Sequence, residues 1–287
     1  MRRHRWLAAG CFALAGGLAL NSLLGPLAFG VIEYRYTEPF ANQGIGLDAF
    51  ALAIVVPLLA CAGVLVLGQK LAGPVLALGP ALMAAYMLPQ YVLGGHYRDL
   101  TGNNEDFFLL HLCLFILSAG IAILAWDIVD ERALPAVSER NRFWTGMLLF
   151  AIALFLVLRY LPGLVAIWRD EPGVEYVSDP VAFWLIAFMD LGMVLPVAVA
   201  GALALLRGLA AAQKLMYAVI GWFALVGPAV AAMALAMLLN DDPHASTGAV
   251  ISFAAFALAF AVAALLIFRP LFRIGARFPA SHDNGPE

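Results

Sequence analysis

Asp190 is the residue best placed to do chemistry, because it lies inside the apolar stretch WLIAFMDLGMVLP, Trp184 to Pro196. About nine residues, or ~13 Å of helix, separate it from the predicted outer end of its membrane span. A charge near the middle of a bilayer costs about 2.5–3.5 kcal/mol on insertion scales, so such a residue faces protein or water and has a partner. A carboxylate at this depth clamps two helices together, or it binds a proton or a cation.

Arg159, within FLVLRYLPGL, is the natural partner for that carboxylate. It lies about 5–8 residues, or ~8–12 Å, below the outer surface, and consecutive spans joined by one loop are often neighbours. The sequence therefore predicts an Arg159–Asp190 ion pair between spans five and six. The alternatives are an Asp190 that titrates, a neutral Asp190 held by hydrogen bonds, and an arginine that extends towards the outer interface.

A second polar group is predicted at the outer side, near spans two, three and four. Its members are Asp48, Tyr86, Gln90, Tyr91, His96, Asp106 and His111. Tyr86 and Gln90 share a helix face, and Asp48 is expected at a helix mouth, where N-capping explains it. The spacing contains no compact ligand motif, so no metal is predicted, and anchoring of helices at the interface is favoured. Asn21, near mid-membrane in span one, is predicted to link helices by hydrogen bonds.

The elements that position these residues are membrane spans. The chain is 64% hydrophobic and 12% charged, against about 45–50% apolar and about 25% charged in soluble domains. Runs of about 20 apolar residues cross a bilayer as helices. Eight such runs are predicted: 7–31, 48–68, 72–94, 107–127, 143–166, 181–206, 213–238 and 249–268. The predicted fold class is an all-α integral membrane protein.

Basic residues set the predicted orientation. With the N-terminus inside, the inner segments hold Arg2, Arg3, Arg5, Lys70, Arg132, Arg140, Arg142, Arg207, Lys214, Arg269, Arg273 and Arg277. The outer loops hold only Arg35, Arg98 and Arg169 and are rich in acidic residues. Both termini are therefore predicted to be cytoplasmic, and the strongly negative outer face is either a solvated surface or a vestibule that concentrates cations.

Two halves of four spans each have related features. Span two reads AIVVPLL and is followed by GQKL, whereas span six reads GMVLPVA and is followed by AQKL. An even number of spans in each copy predicts a parallel 4+4 repeat about an axis along the membrane normal. The predicted units are residues 1–128 and 143–270, with a cytoplasmic linker at 129–142 and a disordered cytoplasmic tail at 271–287.

The motifs EYRYTEP, GLDAF and VVPLL in the first half, with MDLGMVLP in the second, resemble a family of uncharacterised bacterial multi-spanning membrane proteins. The resemblance covers most of the chain and implies about eight helices. It implies no activity, so no functional residues are assigned from it.

Catalytic signatures such as HExxH, GxSxG, a Walker-type loop and CxxC are absent from the sequence. The net charge of −3 argues against nucleic-acid partners. We therefore predict a non-enzymatic, multi-pass protein of the bacterial plasma membrane, without a cofactor and with the lipid bilayer as its surroundings. Transport of a small solute or cation from the outer side, through a site between the halves near Asp190, is the favoured function. The alternative is a membrane scaffold, sensor or complex subunit that acts through helix contacts.

Overall fold

A computed structural model describes residues 2–209 and 212–273. This part of the chain is all-helical and contains eight helices long and apolar enough to cross a membrane. The chain is thus a polytopic membrane protein by fold. In order the helices are α1 Arg2–Leu24, α2 Glu38–Leu67, α3 Ala72–Leu93, α4 Asn104–Ile128, α5 Glu139–Trp168, α6 Pro180–Arg207, α7 Ala212–Leu239 and α8 Thr247–Arg273. Short helical turns occupy Glu131–Ala133 and Val174–Ser178.

Helices α2 and α6 each contain one π turn. In α2 it spans Ala51–Val55, and in α6 it spans Asp190–Val194. Each ends with a backbone N–H that bonds a carbonyl five residues earlier, from Val56 in one helix and Leu195 in the other. A proline follows at once in both helices. A π turn places one extra residue in the helix, so it changes which face the preceding segment presents.

Helix α2 begins ten residues before the predicted span, at Glu38. The segment EPFANQGIGL is too polar for a lipid-facing run, but it packs against α7 inside the protein. A Cβ at Gly46 would lie 2.6 Å from Met233 Cα, so only glycine permits this approach. The amide of Asn42 also donates to Asp242 Oδ2 at 2.9 Å.

The first four helices form a closed ring, in which each packs against the next and α4 packs against α1. The last four form an open arrangement. Helix α5 packs on α6, α6 on α7 and α7 on α8. The row does not close, because α5 and α8 meet chiefly through the rings of Phe155 and Phe256, whose centroids are 5.0 Å apart. Helix α7 joins the two groups by packing against α2 and α3. A Cβ at Gly79 would lie 2.6 Å from the Gly221 carbonyl oxygen, which marks the close α3–α7 approach.

The connecting segments meet at two ends of the bundle. Loops 25–37, 94–103, 169–179 and 240–246 form what we name the acidic face, and Asn103, Arg35 and Asp179 make hydrogen bonds between them. At the opposite end, the basic face, Arg3 pairs with Asp127 at 2.6 Å and the Lys214 ammonium lies 4.6 Å from the Trp126 ring. The predicted tail begins inside α8, which continues to Arg273, and positions 274–287 lie outside the described residues.

Candidate functional site

A cavity of about 540 Å³ lies between the two groups of helices. Its walls come from α2 and α3 on one side and from α5, α6, α7 and α8 on the other. Thr37, Glu175, Asp179 and His244 line it near the acidic face, and Asp190 lines it further in. The cavity lies where the packing of α5 to α8 is open, between these helices and the closed ring of α1 to α4.

Asp190 is partly exposed and accepts a hydrogen bond on each carboxylate oxygen. The Tyr86 hydroxyl of α3 donates to Oδ1 at 2.6 Å, and the Tyr160 hydroxyl of α5 donates to Oδ2 at 2.7 Å. Both tyrosine rings are buried, at 9% and 4% exposure. The carboxylate therefore ties together α3, α5 and α6 at the wall of the cavity.

Arg159 is not paired with Asp190, which corrects the predicted ion pair. Its guanidinium instead contacts the Glu175 carboxylate from the loop between α5 and α6. Consecutive residues point about 100° apart on a helix, so when Tyr160 is directed at Asp190 its neighbour Arg159 points elsewhere. The loop turns back as the short helix Val174–Ser178 and supplies the counter-charge nearer the acidic face.

Asp179 links three segments of the chain at the mouth of the cavity. Its Oδ1 accepts from the backbone N–H of Ala182 at 2.8 Å, as a helix N-cap, and lies 2.9 Å from His96 Nε2. Its Oδ2 accepts from the hydroxyl of Thr37, the residue before α2, at 2.6 Å. Three segments of the acidic face thus converge on one carboxylate that is 7% exposed.

Asp48 forms a second carboxylate centre, which is sealed. It is 0% exposed and lies deep in α2, so it does not cap a helix as predicted; the N-cap of α2 is Thr37. Its donors are four side chains from three segments: Tyr34 at 2.6 Å, Tyr91 at 2.7 Å, Ser22 at 3.2 Å and Asn21 at 3.4 Å. Asn21 links helices as predicted, because it contacts Asp48 of α2 and His111 of α4.

Two neighbours complete the sealed centre. His111 Nε2 lies 2.9 Å from Asn21 Oδ1, and because the Asn21 amide nitrogen donates to Asp48, its oxygen must accept, which assigns the proton to Nε2. The His111 ring stacks on Tyr91 with centroids 5.3 Å apart. Burial raises the pKa of Tyr34 well above its usual range, and the Asp48 carboxylate adds to the effect, so the Tyr34 hydroxyl stays protonated and donates.

The polar residues predicted as one outer group separate into four places. Tyr86 and Gln90 line the cavity, whereas Asp48, Tyr91 and His111 belong to the sealed centre. His96 is at the cavity mouth, on Asp179, and Asp106 is exposed at the start of α4. Within residues 2–209 and 212–273, no three His, Cys, Asp or Glu side chains are arranged to hold a metal.

Tyr34, Tyr160, Ser22 and Asp179 have site roles that the sequence analysis did not assign. Tyr160 adjoins Arg159, so a helical projection of α5 would have placed one of the two towards α6. Tyr34 and Asp179 lie in loops, where no periodicity gives a direction. No protein-family model, curated protein or solved structure matches the chain.

Proposed function

We propose that this protein is a transporter of a small solute, which it binds in the cavity beside Asp190 and passes between the two faces of the membrane. The observation that carries the proposal is a cavity between two groups of four helices that reaches from the acidic face to a carboxylate within a spanning helix. Ionisable residues inside membrane spans commonly mark solute or ion pathways. Transporters place their sites near mid-membrane between related halves.

A parallel 4+4 repeat is part of the proposal. The π turns support it, because they begin at Ala51 and Asp190, positions that correspond when Pro57 and Pro196 are aligned. In each half one carboxylate lies at or just before this turn and accepts from two tyrosines. We further propose that the acidic face is the outer side of a bacterial plasma membrane and that both termini are cytoplasmic, in line with the distribution of basic residues.

Thiol labelling from each side of the membrane tests the transport proposal. The background replaces the three native cysteines, Cys11, Cys61 and Cys113. Single cysteines are then placed at Ile186, on the cavity wall, and at Val194, deeper in the same helix. Phe188→Cys is the control, because Phe188 lies on α6 outside the cavity lining and is 75% exposed on the lipid-facing surface.

In sealed vesicles of known orientation, position 186 should react with a membrane-impermeant thiosulfonate added on the acidic face. Position 194 should react from both faces, because a transporter exposes its site to each side in turn. Position 188 should react from neither. Labelling of position 194 from the acidic face alone, under every condition tried, would identify a fixed pocket and favour a sensor or scaffold.

A further inference from the structure

The cavity beside Asp190 has a chemistry that selects among small solutes. We propose that its ligand is a hydrophobic amine, with the ammonium group against Asp190 and an aromatic or alkyl body along the phenylalanine-rich wall. The inference uses the same cavity as the proposed function and names its substrate class. It requires binding but not movement across the membrane, so the two proposals can fail separately.

Charge complementarity is the first argument. Arg159 neutralises Glu175, and Asp179 faces His96 and the N-terminus of α6, which carries partial positive charge. Asp190 accepts hydrogen bonds only from neutral hydroxyls. Arg159 lines the same cavity and attracts Asp190 from a distance, but its direct ion pair is with Glu175. A carboxylate within a membrane span that lacks a directly paired cation is costly. A cationic ligand supplies the missing charge.

The free hydrogen-bonding capacity of Asp190 is the second argument. An ionised carboxylate has about four acceptor positions, and the two tyrosines use one on each oxygen. Since Asp190 is partly exposed and lines the cavity, an ammonium group can bind the remaining positions without displacing either hydroxyl. Asp48 gives the contrast: four donors contact it and no surface is left for a ligand.

The cavity wall is the third argument, because it disfavours a hydrated ion. Apart from the groups already described, the wall is mainly apolar and includes Phe155, Phe183, Phe223, Phe253, Phe256 and Phe260. Aromatic faces attract organic cations, whereas inorganic cations need several oxygen ligands. The volume of about 540 Å³ is within the range of about 300–1,000 Å³ that holds drug-sized molecules.

The acidic face is the fourth argument, since it lies at the cavity mouth. Glu33, Asp99, Asp170, Glu171 and Asp241 lie in its loops, in addition to the carboxylates that line the cavity. The four loops hold eight carboxylates against three arginines. Such an excess of one sign raises the local concentration of ligands of the opposite sign and their association rate. Entry from this face therefore favours cations before they reach Asp190.

Three compounds that share one body test the proposal: 4-phenylbutylammonium, 4-phenylbutanol and 4-phenylbutyrate. Equilibrium binding of each radiolabelled compound is measured with the full chain in nanodiscs of neutral phosphatidylcholine, and empty nanodiscs give the blank. We expect the ammonium compound to bind tightest, the alcohol about tenfold or more weaker, and the carboxylate not to bind.

Asp190→Asn should lower the affinity for 4-phenylbutylammonium by about 30-fold or more, because it removes the negative charge that faces the ammonium group and keeps the side-chain shape. It should leave the affinity for the alcohol unchanged. Asp170→Asn is the matched control, since Asp170 is exposed on the same face and has a φ of 58°, which asparagine tolerates. This control should change neither affinity by more than about twofold.

Val230→Trp fills the cavity from α7 and keeps Asp190 in the sequence, and it should abolish binding of both the ammonium compound and the alcohol. The proposal is overturned if the alcohol binds as well as the ammonium compound, if none of the three binds, or if ammonium binding survives Val230→Trp. Binding without two-sided labelling of position 194 would refute transport and keep the amine site. Labelling of position 194 from both faces without ammonium selectivity would refute the amine site and keep transport.

Discussion

Asp48 and Asp190 lie in helices that share a π turn and a following proline, and each accepts from two tyrosines, yet their surroundings differ. Asp48 is enclosed by a ring of four helices and has four donors. Asp190 belongs to the open group of helices α5 to α8. It accepts from two donors and lines the cavity. The comparison teaches that packing around a membrane carboxylate, more than its local sequence, determines whether it can meet a ligand.

The largest difference is expected when each carboxylate is removed. Asp48→Ala should lower the free energy of unfolding by about 3–5 kcal/mol, because four buried donors lose their acceptor and no water reaches them. Asp190→Ala should cost about 1–2 kcal/mol, since water in the cavity can accept from Tyr86 and Tyr160. Equilibrium unfolding of the purified variants in mixed micelles measures both. Equal losses of unfolding free energy would mean that water is excluded equally from both carboxylates.

Glycine substitutions in the two π-turn helices give the next effect. Gly46→Ala should destabilise by about 2–3 kcal/mol, because its Cβ would meet the backbone of α7. Gly192→Ala in α6 should cause no loss, since nothing lies within 4 Å of a Cβ there. Equilibrium unfolding in mixed micelles also measures these two effects. A loss at position 192 as large as that at position 46 would show that the second group is as tightly packed as the first.

Single hydroxyl deletions should have smaller effects. Tyr91→Phe removes a donor at 2.7 Å from the sealed Asp48 and should cost about 1.5–3 kcal/mol, the usual range for hydrogen bonds to charged groups. Tyr160→Phe removes a donor at the same distance from Asp190 and should cost about 1 kcal/mol or less, because water can take its place. Thermal unfolding of the two variants, side by side, compares them. A costlier loss at Tyr160 would contradict the contrast between the centres.

The smallest effect concerns Arg159. A double-mutant cycle between Arg159 and Glu175 should give a coupling of about 0.5–1 kcal/mol, because the pair is 39% and 58% exposed. A cycle between Arg159 and Asp190 should give less, since the two are not in contact. The variants are Arg159→Gln, Glu175→Gln and Asp190→Asn, which remove the charge and keep a polar side chain. A larger coupling to Asp190 would restore the ion pair predicted from the sequence.

The helical spans followed from composition, because lipid-facing runs must be apolar and long enough to cross the bilayer. The start of α2 could not be predicted in this way. Its first segment, EPFANQGIGL, packs against protein and not lipid, so it does not need to be apolar. Asp190 was identified as a polar residue of interest because an intramembrane charge is costly wherever it points. Its actual partners depend on helix rotation: one residue along α5 separates Arg159 from Tyr160, and depth alone cannot distinguish them.

Loop contacts were beyond sequence reasoning for a related reason. Glu175 and Asp179 are in a segment without regular periodicity, and only the folded turn brings one to Arg159 and the other to His96. The closed and open arrangements of the two groups were also unpredictable, because both halves have similar spans and similar composition. Helix packing, which sets these contacts, depends on side-chain shape at many positions at once.

Helix α3 carries one tyrosine for each carboxylate, Tyr86 for Asp190 and Tyr91 for Asp48, five residues apart. Five residues of helix span about 7.5 Å, and Pro89, which cannot donate a backbone hydrogen bond, lies between the two tyrosines. The same helix is hydrogen-bonded at one point to the sealed centre and at another to the cavity wall. A shift of α3 at the cavity wall would therefore have to stretch or break the hydrogen bond between Tyr91 and Asp48, so the sealed centre also fixes the position of Tyr86 at the cavity.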